Sequence, residues 1–212
     1  MRVFDLKVDR FPPTAPQRAL VLGNSTARDA VNMVRESGAL PGYAIVYRDD
    51  LDLCDGARLD AGERALVAAA TLVVVVYDHR PQNTCSGWQL ARRPDLSGKI
   101  VFIGPKDFGI NLNPYARLPL AQRARAQVPL SDAALGAHRR YRALTPPQLY
   151  VDVIAALSHD GRHVPLFDGQ GRFLSEDRVH VTRAGARFVG ERIFRQPAWQ
   201  QIVRRVANDQ DQ

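Results

Sequence analysis

The chain has little with which to staple or anchor itself. It carries two cysteines in 212 residues, Cys54 and Cys85, too few for a disulfide framework or a four-thiolate zinc site. Its longest apolar run, Ala65 to Tyr77, falls well short of the roughly 20 residues that span a bilayer. The opening Met1-Arg2-Val3-Phe4-Asp5-Leu6-Lys7 lacks the unbroken apolar core of a secretory signal. Together these absences predict a cytoplasmic protein, at most peripheral at a membrane. Lysine is scarce as well: of 29 basic residues only Lys7, Lys99 and Lys106 are lysine, and the rest are arginine.

What is present is ordinary for a globular chain. The composition is 45% hydrophobic and 24% charged, with 15 glycines and 14 prolines, which excludes a disordered tail or a collagen-like repeat. The length suits a single domain over residues 1–212. A net charge of +7 raises the question of nucleic acid, and two stretches supply much of it. Ala116 to Leu144 holds six arginines and one acid, Asp132; Arg178 to Arg205 holds seven and one acid, Glu191. Such faces attract anions, but they are equally the solvated faces of helices. No zinc finger, aromatic ribbon or basic zipper accompanies them, so nucleic acid is not a predicted partner.

Short apolar runs alternate with helix-period segments, the pattern of a parallel sheet with crossover helices. Ala19-Leu20-Val21-Leu22 reads as a buried strand ending at Gly23. Ala27, Ala30, Val31 and Val34 then recur at helical spacing, and Gly38 stands where a helix would stop. Tyr43–Tyr47 is a second strand and residues 61–70 a helix. Leu72-Val73-Val74-Val75-Val76, apolar on both faces, is the central strand, and Ile100–Ile103 is the fourth. One or two arginine-rich helices follow, the second capped by Ser131-Asp132. Thr145-Pro146 predicts a helix start, with Leu149, Val153, Ile154 and Leu157 turned inward. Val164–Phe167 is the expected fifth strand, and Thr182 caps a last long helix that buries Ala186, Val189 and Ile193.

In such a sheet, chemistry gathers at the carboxyl ends of the strands. Gly23-Asn24-Ser25 lies between the first strand and the first helix. Ser25 there is either an N-cap or a nucleophile whose own amide, at a helix N-terminus, donates to an oxyanion. Serine needs a base, and a histidine oriented by a carboxylate is one. Asp177-Arg178-Val179-His180 offers that pair from one turn, although a surface Asp/His pair reads the same way. His138, His159 and His163 lack metal-ligand spacing, and no metal is predicted. Cys85 reads as an incidental thiol. Trp88 and Tyr115 suit either sugar stacking or packing.

The order of these pieces resembles the SGNH (GDSL-like) hydrolase superfamily over nearly the whole chain. Val21-Leu22-Gly23-Asn24-Ser25 is similar to its opening Gly-Asp-Ser block. Asp177-Arg178-Val179-His180-Val181-Thr182-Arg183-Ala184-Gly185-Ala186 is similar to its closing Asp-x-x-His-Leu-Thr-x-x-Gly-Ala block. The resemblance implies a three-layer α/β/α sandwich with a flavodoxin-like parallel sheet of about five strands. It also implies Ser25 as nucleophile, His180 as base and then acid, and Asp177 as the orienter of His180. Tyr77 to Pro81, Gly104 to Asn113 and Val164 to Gly169 resemble stand-alone members from bacterial surface-polysaccharide loci. These imply O-acetylation or deacetylation of a glycan or its precursor. The donor would be acetyl-CoA or another acyl donor used as co-substrate, with no bound cofactor, or a separate membrane partner would deliver the acyl group.

The departures from the family pattern concern the oxyanion. Asn24 replaces the usual aspartate. Arg48-Asp49-Asp50 follows the second strand where a glycine amide is expected, and Tyr77-Asp78-His79-Arg80 follows the third where an asparagine is expected. One lost donor costs about 10²–10³ in turnover, so replacements are needed. Arg80 is the first candidate, with Asn24, Asn111 and Asn113 behind it. A degenerate, glycan-binding version of the fold is the alternative, and an esterase of small esters or lipids a third.

Overall fold

The computed structural model describes residues 3–54, 56, 58–78 and 85–209. Five parallel strands form the main sheet: β1 (Arg18–Leu22), β2 (Ala44–Arg48), β3 (Leu72–Val76), β4 (Ile100–Ile103) and β6 (Tyr150–Val151), in the order β2-β1-β3-β4-β6. Alternate residues of each strand serve opposite faces of a sheet. Ala19, Val21, Val74, Val101 and Ile103 therefore join one core, and Leu20, Leu22, Val73, Val75 and Phe102 join the other. Helices α1 (Ser25–Ser37), α6 (Val153–Leu157), α7 (Arg183–Ile193) and α8 (Pro197–Asn208) cover the first face. Helices α2 (Ala61–Ala69), α3 (Gly87–Ala91) and α5 (Asp132–Leu144) cover the second. A short α4 (Leu120–Arg123) leads into β5 (Gln127–Pro129), which pairs antiparallel with β7 (His163–Pro165) in a separate ribbon. The result is the three-layer sandwich with a five-stranded parallel sheet that the sequence predicts.

Three expectations are corrected. The predicted helix from Thr145-Pro146 does not run through. Pro147 makes the α conformation unfavourable for Pro146, which is extended at φ −55° and ψ 127°. A single 3₁₀ turn follows, and then Tyr150-Val151 pairs with Phe102 and Ile103 as the edge strand. Helical structure resumes only at Val153, where Asp152 caps the amide of Ala155. The fifth parallel strand is thus β6 and not Val164–Phe167, whose first residues pair instead with Gln127–Pro129. Prolines at both rims of that ribbon, Pro129 and Pro165, suit a short pairing away from the sheet.

Cys85 is not an incidental thiol, because it is bonded to Cys54 across 31 positions of sequence. The bond ties the segment after β2 to the start of α3.

Helices α1 and α7 set the position of the site. A Cβ added at Gly190 would lie 2.6 Å from the carbonyl oxygen of Met33 in α1. One added at Gly185 would lie 1.9 Å from the carbonyl oxygen of Leu174. Only glycine lets α7 approach so closely. The packing brings the N-terminus of α1, where Ser25 stands, alongside the turn that precedes α7.

Candidate active site

The turn after β1 depends on Gly23, at φ +134°, where an added Cβ would meet the carbonyl oxygen of Val76 at 2.9 Å. Asn24 is the N-cap of α1. Its Oδ1 accepts from the amide and the hydroxyl of Thr26, both at 2.9 Å, and its Nδ2 donates to Asp78 Oδ2 at 2.7 Å. The buried Tyr47 hydroxyl donates to the Asn24 carbonyl at 3.1 Å. With the cap role filled by Asn24, Ser25 occupies the first helical position and its hydroxyl is not consumed in capping. Its backbone N–H is one of the amides at the positive end of a 13-residue helix, the position at which nascent negative charge is stabilised.

The Asp177–His180 turn is built around one carboxylate. Asp177 Oδ1 accepts from the amides of Val179 (3.0 Å) and His180 (2.8 Å), while Oδ2 lies 2.6 Å from His180 Nδ1. Burial pushes this carboxyl up, but the His180 amide and imidazole and the Val179 amide outweigh that and hold it down at about 2. It is therefore a carboxylate wherever the imidazole is neutral, and it fixes the ring through Nδ1. Arg178 adopts φ +91° at the tip of the turn, a conformation that costs a non-glycine residue about 1–3 kcal/mol. It is held there by its amide on Ser175 Oγ (2.9 Å) and its carbonyl on the amide of Phe108 (2.7 Å).

Ser25 and His180 line one cavity of about 490 Å³, together with Val3, Arg28, Asp29, Asn32, Glu176 and Val181. His180 Nε2, the nitrogen left by the Asp177 contact, is closed to solvent and has no hydrogen-bond partner among the described residues. No hydrogen bond joins it to Ser25 Oγ. Catalytic pairs are often looser before substrate binds. In chemical terms the arrangement offers an oriented imidazole nitrogen and a serine hydroxyl in one cavity, neither hydrogen-bonded among the described residues, and a helix N-terminus at that serine.

The other candidates scatter. Asn24 is committed to the cap and to Asp78. Asn111 and Asn113 are exposed, with Asn111 Oδ1 accepting from the amide of Asn113 at 3.0 Å, and neither lines the Ser25 cavity. Arg80 lies outside the described residues. Trp88 lines a different cavity, and Tyr115 packs on the core. Where a glycine amide is expected after β2, Arg48 is a buried hub that reaches Asp9 (2.9 Å), Asp50 (2.7 Å) and Glu63 (3.6 Å).

Two residues escaped the sequence reading. Asp29, one helical turn beyond Ser25, lines the cavity, and its Oδ2 accepts from the amide of Val181 at 3.3 Å. Lys106 Nζ lies 2.8 Å from the same oxygen, as an ion pair off the axis of a hydrogen bond. The signal for them was the i, i+4 spacing from Ser25 and the rarity of lysine. In an arginine-rich chain a lysine stands out, and its ammonium is a more compact charge than a guanidinium.

A solved structure of the periplasmic domain of a lipopolysaccharide acetyltransferase from Salmonella ser. Paratyphi A superposes with a TM-score of 0.50 at 15% identity. The match covers 84% of this chain and 82% of that one. The likeness is one of fold: an α/β/α architecture around a five-stranded parallel sheet. No protein-family model and no curated protein matches the sequence.

Proposed function

We propose that this protein is a serine-dependent acyl-transfer enzyme that adds or removes acetyl groups on a bacterial surface polysaccharide or its precursor. The observation that carries the reading is the imidazole of His180, oriented by Asp177 at 2.6 Å and left with an unpartnered Nε2, on a residue that shares a cavity with Ser25. Ser25 Oγ attacks the acyl carbonyl as His180 Nε2 takes its proton. The developing oxyanion meets the Ser25 amide at the start of α1. His180 then protonates the leaving group, and the acyl group rests on Ser25. An acceptor, sugar hydroxyl or water, gives its proton to the same nitrogen and receives the acyl group.

A glycan acceptor is favoured by the polar lining of the cavity (Arg28, Asp29, Asn32, Glu176) and by the fold shared with a lipopolysaccharide acetyltransferase domain. The Cys54–Cys85 disulfide favours an oxidising compartment, as does the periplasmic position of that neighbour. This revises the cytoplasmic expectation. In that setting a membrane partner would hand over the acyl group in place of acetyl-CoA; no helix among the described residues is long and apolar enough to cross a membrane.

A binding protein built on the same fold is the second reading, favoured by the Arg48 hub that stands where an oxyanion amide is expected. Hydrolysis of p-nitrophenyl acetate separates the two. The acyl-transfer reading expects turnover that Ser25→Ala abolishes. Equal, negligible turnover in both proteins supports binding alone.

A further inference from the structure

We infer that Asp29, held by Lys106, is the residue that binds the acceptor sugar beside the reacting hydroxyl. The inference rests on the acyl-transfer reading for its chemistry but on separate atoms for its geometry. Both side chains are more than nine-tenths buried, at 8% and 5% exposure. Removing two charges from water is costly, and replacing a buried pair by apolar side chains is often neutral or stabilising. Oδ2 of Asp29 is committed to Lys106 and to the amide of Val181, next to His180. Oδ1 has no partner among the described residues, and Asp29 lines the cavity that Ser25 and His180 share. One carboxylate oxygen thus faces inward to its cation while the other is left as an acceptor in the site.

The ammonium of Lys106 has no aligned hydrogen-bond partner among the described residues. Its segment is fixed on both sides: before it the amide of Gly104 donates to the Val151 carbonyl at 2.9 Å, and after it Asp107 and Phe108 are held. Asp107 accepts from the hydroxyl and amide of Ser131 and the amide of Gly109, and buried Phe108 donates its amide to the Arg178 carbonyl. With its backbone held and its ammonium buried against Oδ2, Lys106 determines which oxygen of Asp29 turns inward. The pair links three elements of the site: α1 one turn after Ser25, the segment after β4, and the turn carrying His180.

A sugar with neighbouring hydroxyls satisfies both groups at once. The reacting hydroxyl gives its proton to His180 Nε2 while its oxygen bonds to the acyl carbon. Ser25 Oγ departs as the carbon–oxygen bond to the enzyme breaks, and it regains that proton from His180. The adjacent hydroxyl donates to Asp29 Oδ1 throughout. Water has no second hydroxyl to anchor, so Asp29 favours transfer over hydrolysis. Asp29→Asn reverses the polarity of the subsite, because the amide oxygen turns to Lys106 and leaves an NH₂ where an acceptor stood.

The test uses the full chain and methyl α-D-galactopyranoside as the probe. Its binding is followed by saturation-transfer NMR in the Ser25→Ala protein, which needs no turnover. Its acetylation from p-nitrophenyl acetate is measured against release of free acetate. Asp29→Asn is expected to weaken binding, and to lower the sugar-to-water product ratio, by about tenfold or more, the usual effect of losing a hydrogen bond to a charged group. Nitrophenolate release is recorded alongside, and the change in product ratio is read against it. Asp29→Ala/Lys106→Met, which removes both charges together, should lose binding equally while keeping a cooperative thermal transition. Unchanged binding in either variant overturns the inference. So does a sugar-to-water product ratio that stays constant while both products fall, since that marks a purely structural role. If the wild type binds the sugar through Asp29 but never cleaves the ester, the acyl-transfer reading fails and the sugar subsite stands.

Discussion

Cutting the cross-link between Cys54 and Cys85 should cost the fold a measurable and predictable amount. The bond joins positions 31 residues apart, and the closed loop contains α2 and the central strand β3. In the chain-entropy account, a loop of this size restricts the unfolded ensemble by roughly 3–4 kcal/mol at 25 °C. For a chain of this length that corresponds to a fall in melting temperature of roughly 7–15 °C. The assay is urea unfolding of wild type and of Cys54→Ser/Cys85→Ser, each with and without reductant. The midpoint of the wild type should drop on reduction to that of the double variant, which should not respond. The folded wild type should show no reactive thiol before denaturation. A loss below about 1 kcal/mol, or two thiols titratable in the native oxidised protein, would refute both the cross-link and the oxidising compartment inferred from it.

Gly185→Ala should destabilise by about 3 kcal/mol, the upper end of the usual overpacking cost, because its methyl group would lie 1.9 Å from a backbone carbonyl oxygen; chemical denaturation reads this directly. The Asp160–His163 turn repeats the Asp177–His180 geometry on an exposed surface, with Nδ1 at 2.7 Å and two amides on the other oxygen. His163→Ala should accordingly leave ester turnover within about twofold, whereas His180→Ala should reduce it by about 10³ or more. The amides and imidazole that outweigh burial hold Asp177 at about 2, below its unfolded value near 3.8. Its contribution to stability is therefore complete above about pH 4 and lost as pH falls toward 2. The stability difference between wild type and Asp177→Asn should close over that interval in pH-dependent thermal melts, and a difference constant from pH 6 to 2 would contradict it.

Much of the architecture was legible because it rests on local rules. The apolar runs at Ala19–Leu22, Leu72–Val76 and Ile100–Ile103 are strands with both faces buried. Gly38, at φ +68°, ends α1, and Thr182 caps α7 through the amide of Gly185. What was not legible depends on tertiary choice. Tyr150-Val151 is too short to announce itself and is a strand only because β4 presents an open edge. Gln127–Pro129 pairs with His163–Pro165 although neither has a strand-like length. The disulfide joins cysteines that nothing local connects.

At the site, the sequence motif located the turn but not its meaning. Asp160-Gly161-Arg162-His163 has the same spacing and the same hydrogen bonds as Asp177-Arg178-Val179-His180. The two differ in what lies beside them. His180 shares a cavity with Ser25 because glycines at 185 and 190 let α7 close onto its neighbours. Lys106 was visible only as an uncommon residue type, since its partner lies 77 positions upstream at Asp29.

In the proposed mechanism Ser25 is a nucleophile activated by His180. Incubating the intact protein with a small alkyl fluorophosphonate and locating the adduct by peptide mass spectrometry reads that activation at the residue itself. One stoichiometric adduct on Ser25 is expected, with labelling lost in His180→Ala and retained in His163→Ala. Labelling elsewhere, or labelling of Ser25 that persists at the same rate without His180, would contradict it.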